Sequence, residues 1–280
     1  MTDTASASAG DQADPKEEFV LTKEILAFEN RRNDLIVAAG VLLFTFFLGS
    51  YKETYPDIPL HLATGRIIAD SGIPKHDSFS FGAPADKVWI NPSWLFDWGL
   101  FRAYSAVGDV AVAVVKALAG AAAIGLLIGI RHRGPTLWWT VFCAFFAAVA
   151  LSPRLFLGSE VVAALLLALL LLCIFQARYA GRFWMIYLAA PITALWANVD
   201  LSFFVAPLVL AAFLLGEAIQ SVCPKSWRFG ESQWQASQLV SVGVVTVLCV
   251  LAGAATPFGM ATLSFPYDWV VNIAPQAPYN

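Results

Sequence analysis

Charge is scarce in this chain. Asp, Glu, Lys and Arg supply 13% of the residues and the net charge is −3, so no basic stripe offers itself to nucleic acid. Cysteine is scarce too: Cys143, Cys173 and Cys249 fall inside apolar runs and Cys223 at the end of one. None has ligand spacing, so they read as small packing residues and not as a disulfide or zinc framework. A glycine-rich phosphate loop, an HExxH helix and a CxxC pair are all missing, which removes the usual signatures of soluble enzymes. The region ahead of the first apolar run is long and acidic at its start, which argues against a cleaved signal peptide.

What the chain has in abundance is apolar surface. It is 59% hydrophobic with a mean hydropathy of +0.68, against roughly 45–50% apolar for a soluble domain. Apolar runs at 34–50, 109–130, 136–151, 155–175, 183–199, 201–222 and 237–256 predict an all-α polytopic membrane protein with about seven transmembrane helices. Residues 1–16 are small, polar and acidic and are expected to be disordered; 17–33 predict a short amphipathic helix on the membrane surface. Arg31 and Arg32, Arg131 and Arg133, Arg178 and Arg182, and Lys225 and Arg228 all fall on one side of such a threading. The positive-inside bias makes that side cytoplasmic. The expected organisation is a cytoplasmic segment 1–33, a membrane domain 34–256 and an extracytoplasmic tail 257–280.

The threading leaves one large extracytoplasmic loop, 51–108. Asp57 ahead of Pro59 marks the start of a helix expected to run to Asp70 and stop at Gly72. Phe79, Phe81, Val88 and Ile90 suggest a hairpin around Gly82. Asn91-Pro92-Ser93 then opens a second helix to Ala106, whose Trp94, Trp98 and Tyr104 favour the headgroup zone. Both helices are therefore expected to be interfacial.

The polar residues worth suspecting gather on that outer side. Asp57 and His61, four apart on one helical face, suit a divalent cation or a base with its orienting partner. The plainer alternative is an Asp57 that merely caps its helix above a packed His61. His76-Asp77 forms a second such pair, more simply read as a turn. Lys116 and Glu160 lie about two turns inside their spans, where charges normally pair or line a cavity. Snorkelling is the competing account of Lys116. Arg154, Asn198 and Asp200 sit at tight outer turns; an arginine there suits a phosphate-linked lipid or, more plainly, a headgroup or Asp200.

The pattern Asp57-x-x-x-His61-Leu62-x-x-Gly65-Arg66, then Gly72-Ile73-Pro74-x-x-Asp77-x-Phe79-Ser80, then Trp89-x-Asn91-x-x-Trp94-Leu95 resembles the first outer loop of a group of bacterial multi-span proteins. That group is similar to the GT-C class of polyprenyl-phosphate-sugar-dependent glycosyltransferases. Ser152-Pro153-Arg154, Trp196-x-Asn198 and Thr256-Pro257-Phe258-Gly259 extend the likeness over roughly 34–270. The chain departs from the group's usual residues at Pro59, Leu60, Asp200, Leu201 and Thr256.

The resemblance implies transfer of a sugar from a polyprenyl phosphate on the outer face of a bacterial inner membrane, with Asp57 as the catalytic or metal-assisting carboxylate. It makes His61 its companion and Arg154 a stabiliser of the leaving phosphate. Lys116, Glu160, Asn198 and Asp200 become candidate substrate-binding residues. It also implies either the membrane part of a longer protein or a shortened relative. The alternative is a non-catalytic subunit that holds other membrane proteins together. No pair of Gly/Pro-broken helices in matching halves argues for a transporter.

Overall fold

The computed structural model of the chain describes residues 15–51, 57–76, 79, 89–130, 137–152, 158–224, 234–268 and 271. Among them the regular structure is helical throughout: α1 (Pro15–Gly49), α2 (Ile58–Ser71), α3 (Trp94–Val107), α4 (Asp109–Gly129), α5 (Leu137–Leu151), α6 (Ser159–Tyr179), α7 (Ala189–Ala197), α8 (Val205–Val222), α9 (Ala236–Ala252) and α10 (Ala261–Asp268). The expected hairpin around Gly82 lies outside the described residues.

Among the described residues, four segments are long and apolar enough to cross a membrane: Arg32–Gly49, Asp109–Gly129, Ser159–Tyr179 and Leu201–Val222. Leu137–Leu151, Phe183–Ala197 and Ala236–Ala252 are apolar but shorter. At 1.5 Å per residue such helices fall short of a hydrocarbon core of about 30 Å, which is why length alone supports four spans and not the seven expected. Large side chains stay bare along these helices, Phe47 at 73% and Val222 at 85% exposed among them. Surfaces of this kind are the ones that lipid would cover.

Two local features shape the helices. The segment expected to lie on the membrane as a separate amphipathic helix is continuous with the first span, so α1 runs for 35 residues. Pro191 and Pro207 each fall in the first turn of an α-helix, α7 and α8, and each helix is preceded by a 3₁₀ stretch, Phe183–Leu188 and Leu201–Phe204. A proline ring clashes with the carbonyl four residues back, so the α ladder cannot extend upstream and the chain tightens instead.

Among the described residues the interior divides into three clusters. Leu170, Ile174, Ile186, Trp196, Leu210 and Val242 join α6, α7, α8 and α9. Val41, Ile124, Val141 and Ala148 join α1, α4 and α5. Phe96, Leu100, Val112 and Val199 form the third, which seats α3 on α4 and on the turn after α7. Small residues permit the closest approaches. A Cβ on Gly49 would stand 2.8 Å from the Ala117 backbone, so α1 and α4 touch there.

Candidate functional site

The third cluster carries a polar network on its edge. Gly65, one turn beyond His61 on α2, meets α3 so tightly that an added Cβ would run into the Asp97 carbonyl. That contact delivers His61 to Asp97: the ring Nδ1 stands 2.6 Å from Asp97 Oδ1. Asp97 is only 2% exposed. Its other oxygen accepts a 2.7 Å hydrogen bond from Asn91 Nδ2. Asn91 Oδ1 in turn accepts from Ser93 N at 3.0 Å, an Asx turn across Pro92 that launches α3. One asparagine therefore sets both the helix start and the carboxylate.

The network continues into the later helices. Ser93 Oγ lies 3.4 Å from Ser159 Oγ at the start of α6, and Ser159 Oγ donates to Asp200 Oδ2 at 2.6 Å. Asp200 caps the 3₁₀ turn after it by accepting from the Ser202 amide at 2.8 Å and from the Ser202 hydroxyl. Asn198 accepts from Trp94 Nε1 at 2.9 Å and donates to the carbonyls of Ala194 and Ala255. The Leu95 amide donates to the Asn198 carbonyl at 3.1 Å. The start of α3 is thus stitched to the turn after α7.

His61 is the group whose chemistry this arrangement alters. Burial, the largest influence, disfavours its charged form, but the hydrogen bond and charge of Asp97 outweigh it, helped by the charges of Glu160 and Asp57. Its pKa stands above the ordinary 6.5 as a result. A fifth of the side chain (20%) remains exposed, so the ring is reachable from outside. Phe96 holds it edge-on at 5.3 Å between ring centroids.

Of the residues singled out in the sequence, His61, Asn198 and Asp200 belong to this network, and Glu160 lies on its border. Asp57 occupies the N-cap position of α2 as expected, but its side chain makes no capping bond and is exposed. Lys116 is fully buried (0% exposed) elsewhere. Its ammonium donates to the Tyr51 carbonyl at 3.2 Å and lies 3.7 Å from the centre of the Tyr51 ring. Among the described residues it forms no ion pair with Glu160, so it anchors the end of α1 and leaves Glu160 at the site's border. Arg154 and Asp77 lie outside the described residues. Among the described residues, no group of three or more His, Cys, Asp or Glu is placed to hold a metal ion.

Two charged residues escaped the sequence reading. Asp97 sits in an otherwise apolar, aromatic stretch (Trp94-Leu95-Phe96-Asp97-Trp98), and that isolation was the available signal. Glu217, inside the long apolar run of α8, pairs with Arg178 at 2.6 Å, with 0% of its side chain exposed. The pair lies at the far end of α6 from Ser159. A cavity of about 250 Å³ lined by Gly129, Gln176, Tyr179 and Arg182 lies at that same far end. No family model, curated protein or solved structure matches this chain.

Proposed function

We propose that the chain is a GT-C-like integral membrane glycosyltransferase, or its membrane half, which moves a sugar from a polyprenyl phosphate to an acceptor on the outer face of a bacterial inner membrane. In this reading seven helices cross, the N-terminus is cytoplasmic, and α2 and α3 roof the outer ends of the others. The observation that carries it is the part-buried His61–Asp97 pair, which joins the two helices of that roof and leaves the ring reachable. It supplies a proton acceptor where the resemblance expects the transfer to occur. Asp57 and Glu160 border the same ring, and Arg154 is the proposed stabiliser of the phosphate that departs.

Purified protein in nanodiscs, given synthetic polyprenyl-phosphate hexoses and a panel of hydroxylated acceptors, tests the reading. Transfer that is lost in Asp57→Asn or His61→Gln, with folding intact, supports it. A second reading, a non-catalytic subunit, draws on the way Asn198 and Asp200 spend their polar groups on internal partners. Such a subunit would tolerate Asp57→Asn and His61→Gln and would fail instead when the outward face of α3, around Trp98, is altered.

A further inference from the structure

We infer that Asp97, braced by Asn91, is the positioning carboxylate that makes His61 the base of the transfer proposed above, a refinement that rests on that reading. Nothing in the resemblance assigns Asp97 a role; the geometry does. A carboxylate 2% exposed beside Phe96 and Leu100 is an unfavourable choice for packing alone. Both of its oxygens are committed, Oδ1 to His61 Nδ1 and Oδ2 to Asn91 Nδ2, so it cannot swing away from the ring. With Nδ1–H donated to Asp97, the neutral ring keeps its lone pair on Nε2, which is the tautomer a base requires. Asp57, by contrast, is exposed and makes no capping bond, and among the described residues nothing comparable fixes its carboxylate.

Among the described residues, the charged groups that act on His61 are Asp97 from α3, Glu160 from α6 and Asp57 at the start of its own helix. All are acidic, and all favour the imidazolium that forms when the ring takes a proton. In the step itself the acceptor hydroxyl gives its proton to His61 Nε2. The oxygen lone pair forms a bond to the anomeric carbon of the sugar. The bond from that carbon to the phosphate oxygen breaks, and its electron pair stays on the polyprenyl phosphate. His61 later returns the proton to water, so no oxidant or reductant is needed. Asp97 touches no substrate and acts only through the ring.

The chain has 3 histidines, which makes the decisive measurement simple. In histidine-labelled protein in nanodiscs, with His61 assigned by His61→Gln, NMR should show the ring titrating above 6.5, and Asp97→Asn should lower that pKa. The transfer rate should rise with pH along a limb above 6.5. Asp97→Asn should move the limb down and slow the plateau by roughly 10- to 100-fold. His61→Gln combined with Asp97→Asn should be no slower than His61→Gln alone, because Asp97 acts only through the ring. Asn91→Ala should shift the limb in the same direction by less. A wild-type His61 that titrates at or below 6.5 overturns the inference even if Asp97→Asn fails to fold. So does a limb unmoved by Asp97→Asn, or losses that simply add. If His61 titrates as stated and responds to Asp97→Asn, yet no donor in the panel is used, the positioning role stands and the glycosyltransferase reading falls.

Discussion

His61 and Asp97 link function to stability through one proton. The folded-state pKa of His61 is raised: burial opposes the charge, but the Asp97 hydrogen bond prevails, with support from Glu160 and Asp57. A group whose pKa is higher folded than unfolded adds stability that is fully present below the unfolded value of about 6.5. That contribution fades as pH rises through the folded value. Wild-type protein should therefore exceed His61→Gln in thermal stability by a larger margin at pH 5.5 than at pH 9, measured as apparent Tm in the same nanodisc. An equal margin at both would mean that the ring carries no extra proton in the folded protein. The contrast with Asp57 is instructive. Spacing alone reads Asp57 most simply as a helix cap, and it is the resemblance that makes Asp57 the candidate carboxylate. Asp97 is 36 positions from His61, and only the folded approach of α3 to α2 brings them together.

That approach depends on a glycine, and here the sequence was legible in position but not in cause. The limits of α2 and α3 follow from capping signals: Asp57 and Pro59 open one, Gly72 at φ 83° closes it, and Gly108 at φ 68° closes the other. Gly65, however, reads from sequence as a mild defect in a helix interior. Its reason lies in the neighbouring helix, since a Cβ would meet the Asp97 carbonyl and the Phe101 Cβ, the latter at 2.7 Å. Gly65→Ala should accordingly reverse the usual helix preference and lower stability by about 1–3 kcal/mol, the range for overpacked contacts. Gly216→Ala is the control, because nothing lies within 4 Å of its added Cβ; it should be neutral or stabilising by up to about 1 kcal/mol. Denaturation in the same lipid composition compares the two, and equal effects would mean that α2 and α3 are not held at Gly65. Gly65→Ala should also lower the His61 pKa, since parting the helices lengthens the bond to Asp97.

At the scale of the whole molecule, apolar runs disclosed the helices but not how many of them cross. Hydropathy sees composition, and α5, α7 and α9 have the composition without the length. The polar contacts at the two ends of α6 bear on the question. Ser159 at its start meets Ser93 and Asp200, while Arg178 at its end meets Glu217 near the end of α8. If α4 leaves the level of Ser93 and α6 begins at that same level, α5 has to bring the chain back across the core. The same reasoning sends α7 back between Arg178 and Asp200. This supports the proposed seven crossings over four, and the two threadings part company at Arg182. In a chain with its four cysteines replaced, seven crossings predict that Lys75→Cys reacts with an impermeant maleimide from outside intact spheroplasts. Arg182→Cys and Ser237→Cys would then react only after lysis. Four crossings would instead expose Arg182→Cys to the outside reagent. That outcome would put the two ends of α6 on the wrong sides for one polar network to join Ser93, Ser159 and Asp200 at the outer face. A Lys75→Cys labelled only after lysis would be more damaging still, because it would place α2 and His61 in the cytosol, across the membrane from the proposed outer-face acceptor.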